Sequence, residues 1–140
     1  MEFGVQFFPD VKPERKSGAQ YFDEALVLAE EAERLGFTHI RIVEHHFHYY
    51  GGYSPNPMLF LAAAAQCTHR SRLVTGAVLP VFNHPLKLAG EIGMLDALSG
   101  GASMSDLPGR SSRTSTAASD ARRTSRSPVS AKASSKSRCC

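Results

Sequence analysis

No aromatic residue follows Phe82 in this 140-residue chain. All twelve Phe and Tyr side chains lie within the first 101 residues, and there is no Trp. Residues 102–140 hold 12 serines and two prolines instead. A stretch so poor in large apolar groups cannot bury enough surface to offset the entropy of ordering it. A packed core must therefore be built from about 100 residues. Residues 102–140 are expected to form a disordered, low-complexity Ser/Arg-rich tail.

Charge changes sign at the same place. Residues 1–101 carry 8 Lys and Arg against 11 Asp and Glu, a net of −3. Residues 102–140 carry 8 against 2, a net of +6. No apolar run approaches the roughly 20 residues that a membrane helix needs, so no membrane partner is expected. The opening Met1-Glu2-Phe3-Gly4 has no basic segment leading into an apolar one, as a secretory signal would. Three cysteines are too few for a disulfide scaffold, and a cytoplasmic, reducing setting is expected.

Hydrophobic spacing predicts strands alternating with helices. Residues 2–8 are short and apolar-rich, ended by Pro9-Asp10, and read as a first strand. Ser17 is placed to cap a helix. Phe22, Ala25, Leu26, Ala29, Ala32 and Leu35 then recur every three or four residues, and Gly36 stops the run. Residues 38–46 predict a second strand through Ile40, Ile42 and Val43. A Gly/Tyr-rich loop, Tyr49-Tyr50-Gly51-Gly52-Tyr53, follows. Pro57 suits the first turn of a helix, and residues 58–68 are nearly all apolar, which predicts burial all round. Residues 72–82 predict a third strand. Asn83-His84-Pro85 turns into a third helix, with Leu86, Leu88, Ala89, Ile92, Leu95 and Leu98 as its buried face and Gly100-Gly101 as its stop.

Strands separated by helices imply parallel βαβ units. Their nearly continuous apolar character implies a sheet covered on both faces. Three units fit the start of a (β/α)8 barrel or a small doubly wound sheet. The first strand leads into Phe8-Pro9-Asp10-Val11-Lys12, without the G-x-G-x-x-G that a dinucleotide fold places there. That favours the barrel.

The densest polar cluster, Glu44-His45-His46-Phe47-His48, falls at the carboxyl end of the second strand, the edge where parallel α/β folds build their sites. A regular strand would put Glu44 and His46 on one side and His45 on the other. The residue types leave three roles open. One is a metal site, but adjacent histidines on a strand point apart and no H-E-x-x-H spacing occurs, so no metal is expected. The second is structural, with imidazoles bonding loop backbone. The third is a catalytic imidazole, because His titrates near neutrality and can move protons.

Several short motifs recur in a fixed order: Glu2-Phe3-Gly4, Glu44-His45-His46-Phe47, Asn56-Pro57, Val78-Leu79-Pro80, His84-Pro85 and Leu95-Asp96-Ala97-Leu98-Ser99-Gly100-Gly101. Together they resemble the bacterial luciferase-like flavin-dependent monooxygenases over residues 1–101. The resemblance implies an α/β fold, the first three β/α units of a (β/α)8 barrel. It implies reduced FMN as cofactor, or coenzyme F420 in some branches, with dioxygen and a small organic molecule as substrates. A separate flavin reductase supplies such enzymes with reduced flavin, and family members are often dimeric. The first histidine of the Glu-His-His motif falls at His45, which the resemblance makes the catalytic residue, managing protons beside the oxygenated flavin. The third strand of such barrels lies against the flavin ring, which makes Thr75, Gly76 and Ala77 candidate cofactor contacts. Gly76 suits close approach of a flat ring because it lacks a Cβ, and equally suits plain relief of crowding between strands.

After Gly101 the family pattern continues with a fourth strand of the form Arg-Leu-Asp-Val-Gly. This chain reads Ala102-Ser103-Met104-Ser105-Asp106. A GC-rich back-translation of residues 102–113, read one frame over, gives Leu-Asp-Val-Gly-Leu-Ala-Arg-Ala-Phe-Leu-Pro, which resembles the missing strand. The tail then reads as the product of a frameshift. The expected function is that of a luciferase-like monooxygenase, inactive as a chain with only three β/α units. The alternatives are a non-enzymatic remnant and a basic-tailed binding protein. The tail's +6 net charge would attract polyanions, but with no stacking aromatics and no binding motif, nucleic acid is not an expected partner. An open sheet of this kind is expected to expose an apolar edge and face.

Overall fold

The computed structural model describes residues 1–47 and 53–104. The tail beyond residue 104, and most of the Gly/Tyr-rich loop with His48, lie outside the described residues. The described chain runs β1 (Gly4–Phe7), α1 (Gly18–Arg34), β2 (His39–Ile42), α2 (Pro57–Cys67), β3 (Arg72–Thr75), α3 (Pro85–Leu98) and β4 (Ser103–Met104), with a 3-10 turn at Pro80–Phe82 before α3. The sheet order is β1-β2-β3-β4 and every pairing is parallel. Strands added in chain order are what a barrel requires. A doubly wound sheet reverses its order at a switch point.

Local signals explain the helix ends. Ser17 accepts from the Gln20 amide while Gln20 reaches back to the Ser17 amide, a reciprocal capping box. Helix α1 stops at Gly36, whose φ of +91° suits a residue without a Cβ. Asn56 caps α2 by accepting from the Met58 amide, with Pro57 in the first turn.

The register divides the sheet into two faces. Val5, Ile40 and Leu73 are paired across the strands, as are Phe7, Ile42 and Thr75. Of these, Phe7, Ile40, Ile42 and Leu73 join Ala25, Ala29, Phe60, Leu61, Ala64, Leu88 and Leu95 in one core, with Val5 packed against it. On the opposite face stand Gly4, His39 and Arg72 in one row, and Gln6, Arg41 and Val74 in the next.

That second face corrects the expectation of an apolar open surface. No described helix covers it, yet it carries mostly polar side chains, with His39 and Arg72 each near the Glu2 carboxylate at 3.8 and 3.9 Å. The apolar runs in the sequence misled because β2 and β3 are only four residues each. Residues 76–82, taken as strand, are a loop and the 3-10 turn. Helix faces are narrower than the spacing predicts. In α3 only Leu88 and Leu95 are buried, with Ile92 partly so, while Leu86 is 79% and Leu98 52% exposed. Leu86 sits two residues before Leu88 and so turns away from it. Leu35 caps α1 and is exposed, and α2 is not buried all round, since Leu59 and Gln66 point outward. The sheet also runs past the composition break: Leu73 donates to the Ala102 carbonyl, and Ser103 and Met104 pair with Leu73 and Val74.

Candidate functional site

The carboxyl ends of β2 and β3 leave the sheet side by side. Ile42 pairs with Thr75 as the last residue of each strand, and the Gly76 amide donates to the Ile42 carbonyl at 2.7 Å. Residues 43–47 and 76–79 therefore emerge next to each other, on the edge where such folds place their chemistry.

Glu44 is the centre of this edge. Its side chain is only 2% exposed. One carboxylate oxygen accepts from the Leu79 amide at 2.8 Å, and the other faces His46 Nε2 at 2.9 Å. A carboxylate only accepts, so this contact assigns the ring proton to Nε2. The strand ends at Ile42, so regular alternation does not extend this far, but Glu44 and His46 do converge. The imidazole also lies 4.8 Å from the Phe82 ring, centroid to centroid. Asn83 donates to the Leu79 carbonyl at 3.0 Å, so both backbone groups of Leu79 are held.

His45, between these two residues, is half-buried. Its amide donates to the Ser54 carbonyl at 2.9 Å, while Ser54 Oγ donates to the Val43 carbonyl at 2.6 Å. Ser54 thus brackets the Glu-His-His motif, one bond on either side of Glu44. Phe47 follows with a left-handed φ of +50° and its ring 96% exposed, a conformation that costs a non-glycine residue about 1–2 kcal/mol.

Thr75 is fully buried on the helix side of the sheet. Gly76 and Ala77 are half-buried at the edge. A Cβ added to Gly76 would lie 2.8 Å from the Ile42 carbonyl oxygen and 3.0 Å from Arg41 Nε. Packing between β2 and β3 alone accounts for this glycine, without a ring beside it.

Sequence reasoning found Glu44, His45 and His46 but not Ser54 or Asn83. The only available signal for either was position: both stand just before proline-containing helix starts, Pro57 and Pro85. Among the described residues, no group of three or more His, Cys, Asp or Glu is arranged to hold a metal ion. None of the described helices is long and apolar enough to cross a membrane.

Comparison with known proteins decides the family. Residues 1–101 match the sequence profile of the luciferase-like monooxygenases. The chain belongs to that family. This luciferase-like chain is 37% identical over 101 residues to the oxygenase component of the flavin-dependent trigonelline monooxygenase of Acinetobacter baylyi, covering 72% of this chain and 28% of that protein. Among solved structures, monooxygenase RslO1 from Streptomyces bottropensis superposes with a TM-score of 0.75 at 60% identity, over 76% of this chain and 32% of that one. The oxygenating constituent of 3,6-diketocamphane monooxygenase from Pseudomonas putida, solved with FMN, gives a TM-score of 0.71 at 32% identity, over 79% and 30%. A coenzyme F420-dependent tetrahydromethanopterin reductase from Methanopyrus kandleri gives 0.58 at 32% identity, over 76% and 26%. The luciferase-like chain thus spans about a third or less of the length of these relatives. Its strands β1 to β3, each followed by a helix, are the first three units of their (β/α)8 fold.

Proposed function

We propose that this chain supplies the first wall of a flavin-dependent monooxygenase site, in an enzyme that oxidises a small organic molecule with dioxygen. The observation that carries this reading is the shared carboxyl edge of β2 and β3. There the Glu44-His45-His46 segment lies beside Gly76 and Ala77 in a chain of this family.

The edge fits one side of a flat ring. Gly76 and Ala77 are half-buried, and their backbone can meet a ring face, whereas the Thr75 side chain is turned into the core and can contribute only main chain. Reduced flavin, when bound, supplies the electrons that activate dioxygen. His45 holds or moves a proton at an imidazole nitrogen, and the cluster of Ser54 bonds fixes the backbone that carries it. FMN is the favoured cofactor, since the 3,6-diketocamphane enzyme was solved with it, and coenzyme F420 is the alternative. A separate reductase is the proposed partner, by analogy with the relative described as an oxygenase component.

The described residues supply only the first three β/α units, whereas barrels of this type place their phosphate site after the last strands. Charge-assisted bonds to a phosphate contribute about 1.5–3 kcal/mol each, and every 1.4 kcal/mol or so is a decade of affinity. FMN is therefore expected to bind weakly and locally. Titration of 15N-labelled protein should shift the His45, Gly76 and Ala77 amides without saturating at micromolar flavin. Amides at this edge that stay fixed at the highest soluble FMN concentration reject the flavin reading. Saturable low-micromolar binding by a monodisperse sample would instead show that one wall is enough.

A further inference from the structure

The buried carboxylate of Glu44 has a use beyond membership of the motif. We infer that Glu44 is a positioning residue that sets the donor–acceptor polarity of His46 and ties it to the loop leaving β3. The inference rests on the proposed oxygenase reading only for the proton that His46 would handle.

Four observations support it. The Glu44 side chain is almost fully buried, and a carboxylate there needs donors for both oxygens. It has them from different elements: His46 Nε2 from the segment after β2, with the Asn83 side-chain amide at 3.5 Å on the same oxygen, and the Leu79 amide from the segment after β3. With the proton held on Nε2, Nδ1 is the acceptor of the neutral ring. The ring is fixed a second time by Phe82, 4.8 Å away, so it cannot rotate without losing both contacts. An imidazole with one nitrogen on a carboxylate and the other left as a base is the arrangement that orients general bases in unrelated enzymes.

The two bonds of Glu44 couple the two strand exits that form this wall. Residues 76–79 are held to β2 by the Gly76 amide at one end and by Glu44 at the other, and Asn83 holds the far side of Leu79. Any displacement of the Glu44 carboxylate moves His46 and the β3 exit together. His45 is carried on the same backbone, between the two coupled residues.

The test needs no flavin. In the wild-type chain, 15N ring signals at neutral pH should show His46 as the Nε2–H tautomer. Glu44→Ala should abolish that preference and accelerate hydrogen exchange at the Leu79 amide about tenfold or more, the loss of one charge-assisted bond. Glu44→Gln keeps an acceptor oxygen for one of the two N–H groups, so it should rescue either the tautomer or the Leu79 protection, but not both. A wild-type Nδ1–H tautomer overturns the inference even if neither variant folds. So do unchanged His46 signals in a folded Glu44→Ala protein. These outcomes are independent of the FMN titration: flavin can fail to bind while His46 behaves as stated, and the reverse.

Discussion

Two carboxylates, Glu44 buried and Glu33 half-buried, stand at opposite edges of the sheet and do comparable work with different company. Glu33, near the end of α1, accepts from the His69, Arg70 and Ser71 amides at 2.7–3.0 Å. It pins the turn that feeds β3 at the amino edge. Glu44 pins the loop that leaves β3 at the carboxyl edge, but shares its oxygens with an imidazole. At the amino edge the closest donors are backbone amides, with the Ser71 side chain and the Arg70 guanidinium, 4.0 Å away, beside them. At the carboxyl edge one donor is a histidine ring. The difference follows the division of labour in parallel α/β folds, with stability at one end of the strands and chemistry at the other.

The sharpest way to break this comparison is Glu33→Ala. Three amides lose a charged acceptor beneath a side chain that is 11% exposed. The expected cost is about 3 kcal/mol of unfolding free energy, measured by urea denaturation. Ring signals of His46 should be unaffected. If they move as much as they do in Glu44→Ala, the two edges are not separate.

Acid titration probes the same carboxylate, with an effect capped by that figure. Burial by itself pushes the Glu33 carboxyl up, but the Arg70, Ser71 and His69 amides outweigh it and hold the group below its ordinary 4.5. A depressed folded pKa means that the unfolded chain takes up the proton first. The stabilisation is complete above the ordinary value and is lost as pH falls through the lowered one. Glu33→Gln should flatten this acid limb. An unchanged limb would assign it to other carboxylates.

A smaller effect is expected from Gly76→Ala. Its Cβ meets a backbone carbonyl at 2.8 Å as well as the movable Arg41 side chain, which costs about 1–2 kcal/mol and should loosen the exchange of amides 76–79. Wild-type stability in this variant would leave the crowding account of this glycine without support. The smallest effect is a gain. Phe47→Gly removes a left-handed strain at an exposed ring and gives back part of it as unfolded-chain entropy, for a net stabilisation of about 0.5 kcal/mol. A loss instead would mean that the ring contributes packing at the carboxyl edge.

Much of this architecture is legible in the residues. Ser17, Gly36 and Pro57 mark helix ends because caps act through local bonds that sequence spacing preserves. The order of elements and the Glu-His-His cluster are legible for the same reason. Strand length is not. Val78 and Leu79 read as strand because they are apolar, but Val78 is buried in a loop held by Glu44 from 35 positions away. The polar open face is equally hidden. His39, Arg41 and Arg72 interrupt their strands at alternate positions, and only the register shows that they gather on one side. Ser54 works through a carbonyl and a hydroxyl whose partners lie 9 and 11 residues back, a pairing no local pattern signals.

The strand order also has a consequence in time. Each described strand pairs with the one synthesised just before it, so a nascent chain emerging at roughly 5–20 residues per second finds every partner already outside the ribosome. Contacts between neighbours in sequence form quickly, because little loop entropy must be spent to make them. Assembly can then proceed one β/α unit at a time, with β1 as the template. Only a strand closing back onto β1 would have to wait for the end of translation. The first strand, which pairs on one side only among the described strands, would be the part of the nascent chain that a chaperone has longest to meet.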